Sequence, residues 1–448
     1  MLTRPALNCA SSIVEAKDKF EKSYALLPQI ITLDPEVLAI EAMLAMAIFT
    51  KLSADARTAA QLVSSAVKIY QMAALRKDPS QMLTLSTSYK RYRRAFWTAY
   101  ILDREISSQC GLPPAIDDDD FILVPEGPNM HTHMQGLSPA LQIRSEIAII
   151  DSLIYERLYR RKVFEQPESE RLVNIAELDW TLESWSWPAS ADFRPSLDNP
   201  NVGANPKMGA LMVHFAYYNC VNMVHWAVRR RGLRKDISNS ILPDRFKHSQ
   251  ALSTEKSRKA ARATLSLLQE LPQYPFVDLW RILCYPISAT IILLAGILEN
   301  PLSTNSKSDI WVLQSFRQFI EENIQNNGYD LQRVLKGCLQ MEKLAFDVVN
   351  KTEATPLAES MGGVEEEAPP GTWNDALNKR AQTTKDILLS CAHPMYVAQG
   401  LVTNIHTRDG SSVVALSKAL GVYEEGDRQY GFFIPDNLWP QAKQLIFD

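Results

Sequence analysis

Four adjacent carboxylates, Asp117 to Asp120, form the densest acidic run in the sequence. Such a run could hold a hard cation, but a calcium loop alternates its ligands and ends on Glu, and neither feature is present here. The run lies between Pro113-Pro114 and Phe121, which predicts a solvated loop in which one Asp acts as a cap. His131 and His133 flank Thr132 in a loop rich in Gly, Pro and Asn, and no further metal ligands accompany them. His214 and His225 are 11 positions apart, which returns them to nearly the same face of a helix. Phe215, Tyr218, Val221 and Val224 lie between them, so His214, Tyr218 and His225 are candidates for lining an apolar ligand pocket. The competing reading is two hydrogen-bonded histidines at a helix interface. No Gly-x-x-x-x-Gly-Lys-Ser/Thr, Gly-x-Gly-x-x-Gly or Gly-x-Ser-x-Gly pattern occurs, so the expectation is that the chain is not an enzyme.

The cysteines (Cys9, Cys110, Cys220, Cys284, Cys338 and Cys391) are dispersed, with no Cys-x-x-Cys pair to grip zinc or cycle a disulfide. They read as reduced, buried thiols. The formal net charge of -4 supplies no global positive field for a phosphate backbone. Two basic clusters stand out, Lys90-Arg91-Tyr92-Arg93-Arg94 and Arg229-Arg230-Arg231. The second closes a helix, where cations complement the helix dipole. The first opens one, so it requires carboxylate partners; Asp103, on the apolar side of the same helix, is a candidate and must itself be paired.

These residues sit on a succession of helical patterns. Asp34-Pro35-Glu36 is a helix start. Apolar residues spaced three and four apart then predict helices over Ala54–Leu75 and from Ser86 or Ser88 to Gln109. Further helices are predicted over Leu137–Glu165, Glu168–Trp187, Lys207–Arg231, Thr254–Leu271, Phe276–Glu299, Asp309–Asn326 and Asp330–Val349. The apolar run Ile282 to Leu298 is short for a membrane span and carries Pro286, Ser288 and Thr290, so it reads as a core helix at the centre of the bundle. No period-two strands appear. The fold class expected is all-α, a multi-helix bundle. The domain expectation is a helical domain over 1–352, a flexible linker over 353–372 carrying Glu365-Glu366-Glu367 and Pro369-Pro370-Gly371, and a partly helical tail over 373–448.

One segment carries a resemblance. Arg93, Arg94, Phe96, Trp97, Tyr100, Asp103, Arg104 and Ser107, followed by Gly111, Pro113, Ile116 and Asp120, are similar to the signature of the fungal-specific transcription factor domain, the middle homology region of zinc binuclear cluster regulators. Leu112 stands where that family usually has Arg, and Ala74 and Arg76 where it has Gly and His. The segment Ser257-Arg258-Lys259-Ala260-Ala261-Arg262 resembles a later helix of the family. The resemblance implies a nuclear regulator of transcription controlling metabolic or secondary-metabolite genes, working through other transcription proteins or a small hydrophobic effector, with no membrane association. Alternatives are a non-DNA-binding adaptor or co-regulator, and an enzyme on a helical scaffold. Family members bind two zinc ions in a six-cysteine cluster that grips DNA. The cysteines here cannot build it, so no cofactor is expected in this chain and DNA would be reached only through a missing or partner domain. With 33 residues before Asp34, the expectation is a short gene product or one that has lost an N-terminal portion.

Overall fold

The computed structural model describes residues 15, 17–32, 37–52, 55–75, 87–118, 134, 137–186, 195–198, 208–229, 244–271, 279, 282–327, 331–360, 373–403 and 410–421. Among these residues every regular element is helical and none is a strand. The chain divides into two compact units, the first built mainly from residues up to Ser152 and the second from Leu153 onward.

In the first unit, α1 (Leu27–Thr32) precedes α2 (Val37–Leu52), α3 (Ala56–Leu75), α4 (Thr87–Cys110) and α5 (Pro139–Ile154). Helices α2, α3 and α4 pack pairwise against one another. Their core is set by apolar spacing: Ile40, Met43, Leu44 and Ala47 on α2 and Ala59, Leu62, Val63 and Ala66 on α3 are all buried. Each such large side chain contributes about 1.5–3 kcal/mol by leaving water. Tyr70 of α3 lies 5.2 Å from Phe96 of α4, ring to ring, and Phe96 in turn meets Trp97 and Tyr100 at 5.2 and 5.9 Å. Gly111 ends α4: its φ of 70° is left-handed, and its N–H donates to the Ser107 carbonyl at 2.8 Å.

The helix predicted over Leu137–Glu165 changes form on the way. α5 gives way to a π turn at Tyr155–Tyr159 and then a 3-10 segment at Arg161–Glu165. The second unit continues with α6 (Glu168–Ser186), α7 (Met208–Arg229), α8 (Asp244–Ser266), α9 (Cys284–Glu299), α10 (Ser306–Asn327), α11 (Gln332–Ser360), α12 (Trp373–Ser390), α13 (Pro394–Thr403) and α14 (Gly410–Ala419). α8 begins ten residues before the predicted Thr254. α11 runs to Ser360, so the opening of the predicted linker is helical; residues 361–372 lie outside those described. The described part of the predicted tail packs within this unit, α13 and α12 both against α9.

α9 is the centre of this unit. It touches α8, α10, α11, α12 and α13, and every residue from Cys284 to Leu298 is buried. That is why its sequence is apolar all round instead of on one face. None of the described helices is long and apolar enough to cross a membrane. Cys110, Cys220, Cys284, Cys338 and Cys391 are unbridged and buried, and burial pushes the Cys110 and Cys338 thiols up to about 12.

Candidate functional site

The signature residues gather on α4 and the segment that follows it. Phe96, Trp97 and Tyr100 are buried, as are Asp103 and Arg104. The Asp103 carboxylate accepts the backbone N–H of Ala115 at 2.9 Å and of Ile116 at 3.0 Å, and receives Arg104 Nη1 at 3.0 Å. Arg104 Nη2 donates to the Ile116 carbonyl at 2.9 Å and to Asp118 at 2.7 Å, and the guanidinium lies 4.4 Å over the Tyr100 ring. Tyr100 Oη and Ser152 Oγ donate to Asp118 as well, at 3.0 and 2.5 Å. Adjacent Asp103 and Arg104 therefore fold the chain after Gly111 back onto the helix it has just left. Burial pushes the Asp103 carboxyl up, opposed by Arg104 and the two N–H groups. Burial disfavours the Arg104 charge, but Tyr100, Asp118 and Asp103 together hold it ionised.

Two flanking clusters tie α4 to its neighbours. Glu41 of α2 accepts from Arg91 at 3.2 and 2.5 Å and from Arg94 at 3.4 Å. The partner of the basic cluster is therefore Glu41, not Asp103, because Asp103 points toward the interior, where Arg104 and two backbone amides occupy it. Glu105 joins Lys51 of α2 to Arg144 of α5, the latter at 2.6 Å. Arg93 is half-buried and Pro113 exposed, whereas Asp120, His131 and His133 lie outside the described residues. In the acidic run, Asp118 is exposed and accepts from three side chains, Tyr100, Arg104 and Ser152, while Asp119 and Asp120 lie outside the described residues.

The histidines of α7 separate. His225 Nε2 lies 3.1 Å from Asp179 and Nδ1 3.3 Å from Ser253, and Lys256 donates to Asp179 at 2.5 Å. His214 is fully buried with neither ring nitrogen hydrogen-bonded, 6.1 Å from the Tyr218 ring. Burial lowers it to about 4, so it is neutral at physiological pH. Tyr218 donates to the Ser196 carbonyl at 2.8 Å. Arg229 does more than complement a helix end: it is enclosed, stacked 4.7 Å from Trp226 and bonded to Glu299 at 2.5 Å. Asp309, fully buried, receives Arg258 Nε at 2.9 Å and Arg262 Nε at 2.6 Å. Glu41, Lys51 and Asp309 are not legible as partners in the sequence, because a contact between distant helices leaves no local spacing to read. Among the described residues no cluster of His, Cys, Asp or Glu is arranged to hold a metal.

Comparison with known proteins agrees with this geometry. Residues 8–128, which contain α4 and its folded-back segment, match the family described as the fungal specific transcription factor domain. The chain is 29% identical over 353 residues to an ABC-transporter-regulating transcription factor of Aspergillus fumigatus, covering 74% of this chain and 39% of that protein. The counterpart in Aspergillus oryzae gives the same values. A fusaridione A cluster transcription factor of Fusarium heterosporum is 23% identical over 346 residues, covering 72% of this chain and 62% of that one. The chain thus spans about two fifths of the length of the Aspergillus relatives. No solved structure matches. Residues 8–128 are thus similar to the fungal specific transcription factor domain, and along most of its length the chain is similar to fungal transcription factors.

Proposed function

We propose that this chain is the regulatory helical portion of a nuclear transcription regulator, acting on metabolic, transport or secondary-metabolite genes through other transcription proteins. The observation that carries the reading is the Asp103–Arg104–Asp118 cluster inside the family-matched segment, a polar network around the buried Asp103 and Arg104 that holds the chain after Gly111 against α4. The relatives' names, regulators of ABC transporters and of the fusaridione A cluster, support the gene classes. In this reading the chain needs no cofactor of its own, and contact with DNA belongs to another domain or a partner. The net charge of -4 supports that assignment.

The test is a reporter assay with the full chain fused to a heterologous DNA-binding domain. Output should differ from that of the DNA-binding domain alone, and the unfused chain should give no footprint on a promoter. A folded, helical fusion with unchanged output would overturn the reading. A small apolar effector forms part of the proposal, favoured by one observation: His214, neutral and enclosed, has no hydrogen-bond partner beside the Tyr218 ring. An apolar metabolite panel should raise the melting temperature of the chain but not of its His214→Leu variant; equal shifts in both would remove the effector.

A further inference from the structure

The outward faces of two helices in the second unit match each other. On α11, Lys336, Leu339, Lys343 and Phe346 are exposed, Phe346 by 50%. Their spacing of three, four and three keeps them in one line along the helix. On α6, Glu170, Val173, Glu177 and Trp180 have the same spacing and are exposed too, Trp180 by 70%. Each helix is anchored from its opposite side. α6 buries Ile175, Leu178 and Leu182 and packs on α7, and α11 buries Val334, Met341 and Leu344 and packs on α9, α10 and α12. Packing within the chain thus leaves both stripes uncovered. Scattered exposed apolar side chains need no explanation, but apolar residues in two matched lines, interleaved with opposite charges, mark an interface.

Laid side by side in the same direction, the stripes correspond position by position. Lys336 falls opposite Glu170 and Lys343 opposite Glu177, while Leu339 falls opposite Val173 and Phe346 opposite Trp180. Asn350 and Ser184, each four positions further on, add a polar pair. Charged and apolar layers therefore alternate, as the two seam positions of a heptad do. Other pairings are worse. Reversing one helix sets lysines and carboxylates against apolar side chains. Pairing α11 with α11 in the same direction opposes lysine to lysine, and pairing α6 with α6 opposes carboxylate to carboxylate. Slipping one helix by a heptad leaves half of the layers without a counterpart. Glu177 receives Arg157 at 2.9 Å, yet its side chain is 59% exposed and has room for a second cation.

We propose that copies of this chain associate by laying α11 of one copy on α6 of another, the two helices running parallel. The contact joins different surfaces of the two copies, so it is heterologous, and each copy keeps one stripe for a second contact of the same kind. The proposal goes beyond the transcriptional reading and does not depend on it.

Sedimentation equilibrium of the full chain tests it. The chain should associate reversibly, and less at high salt, because the charged layers are screened. Lys343→Glu and Glu177→Lys each set like charges opposite one another and should weaken association by about tenfold or more. The double variant exchanges the charges and should restore most of the loss. Phe346→Ser and Trp180→Ser should weaken association without creating repulsion. Circular dichroism checks that each variant is folded, and the salt dependence of the wild type reads the contact without any variant. A chain that stays monomeric would leave the stripes to a partner of another sequence and overturn the proposal. So would association that is no weaker at high salt, or a double variant that associates no better than the single ones.

Discussion

Arg258 lies along α9 at Gly296 so closely that a Cβ on that glycine would stand 3.1 Å from Arg258 Cδ and 3.2 Å from its Nε. The arginine cannot step aside freely, because Asp309 holds it through Nε and Nη2. Two effects compete at this position. Replacing a helical glycine by alanine gains about 1 kcal/mol in propensity, and crowding a pinned side chain costs about 1–3 kcal/mol. Gly296→Ala should therefore stay within about 1 kcal/mol of wild type, while Gly296→Val, larger and β-branched, should lose about 2–3 kcal/mol. Urea unfolding of the full chain checks both; a valine variant as stable as wild type would show that Arg258 has room.

Asp309 neutralises two arginines, of which Arg258 is buried and Arg262 is 24% exposed at its side chain. Asp309→Ala strands a buried cation and should cost about 3–5 kcal/mol. Arg262→Ala leaves Asp309 with Arg258 and should cost clearly less. Equal losses would mean that the two arginines are equivalent, which their difference in burial denies.

The same logic ranks the charges on α4. Asp103→Ala removes the acceptor for Arg104 and for two backbone amides in the interior, with an expected loss of about 3–5 kcal/mol. Glu41→Ala breaks contacts to Arg91 and Arg94 at the surface, where an ion pair contributes about 0–1 kcal/mol. Thermal unfolding that placed Glu41→Ala level with Asp103→Ala would contradict the assignment of the interior cluster as the anchor.

Burial tends to raise the Asp179 carboxyl, but the hydrogen bonds and charges of His225 and Lys256 outweigh it and the net shift is downward. A depressed folded value gives stability that is present above the unfolded value of about 4 and lost as pH falls through the folded one. Asp179→Asn should therefore flatten the acid limb of the stability curve below about pH 4 and leave it parallel to wild type above pH 6. An unchanged acid limb would count against the His225–Asp179–Lys256 contact.

Helix existence was legible because the apolar residues of α3, α4, α7 and α9 keep helical spacing or are apolar throughout, and this pattern survives in any packing. The burial of Phe96, Trp97 and Tyr100 belongs to the same pattern. What could not be read was which charges meet. The Arg91–Glu41 and Arg258–Asp309 pairs join residues 50 and 51 positions apart, set by how helices cross and not by local sequence. The start of α8 was placed late because residues 244–253 are largely polar and give no apolar stripe. The two α7 histidines share a face by spacing, yet polar residues on α6 and α8 reach only His225.

The central position of α9 has a consequence for the newborn chain. The helix leaves the ribosome well before the last elements that cover it: Thr403, the end of α13, lies 104 positions beyond Glu299. At about 5–20 residues per second, the face of α9 that meets α13 waits roughly 5–20 s for its cover. A message cut short before α12 would yield a product in which the face of α9 that α12 and α13 cover stays bare, whatever the integrity of its first unit.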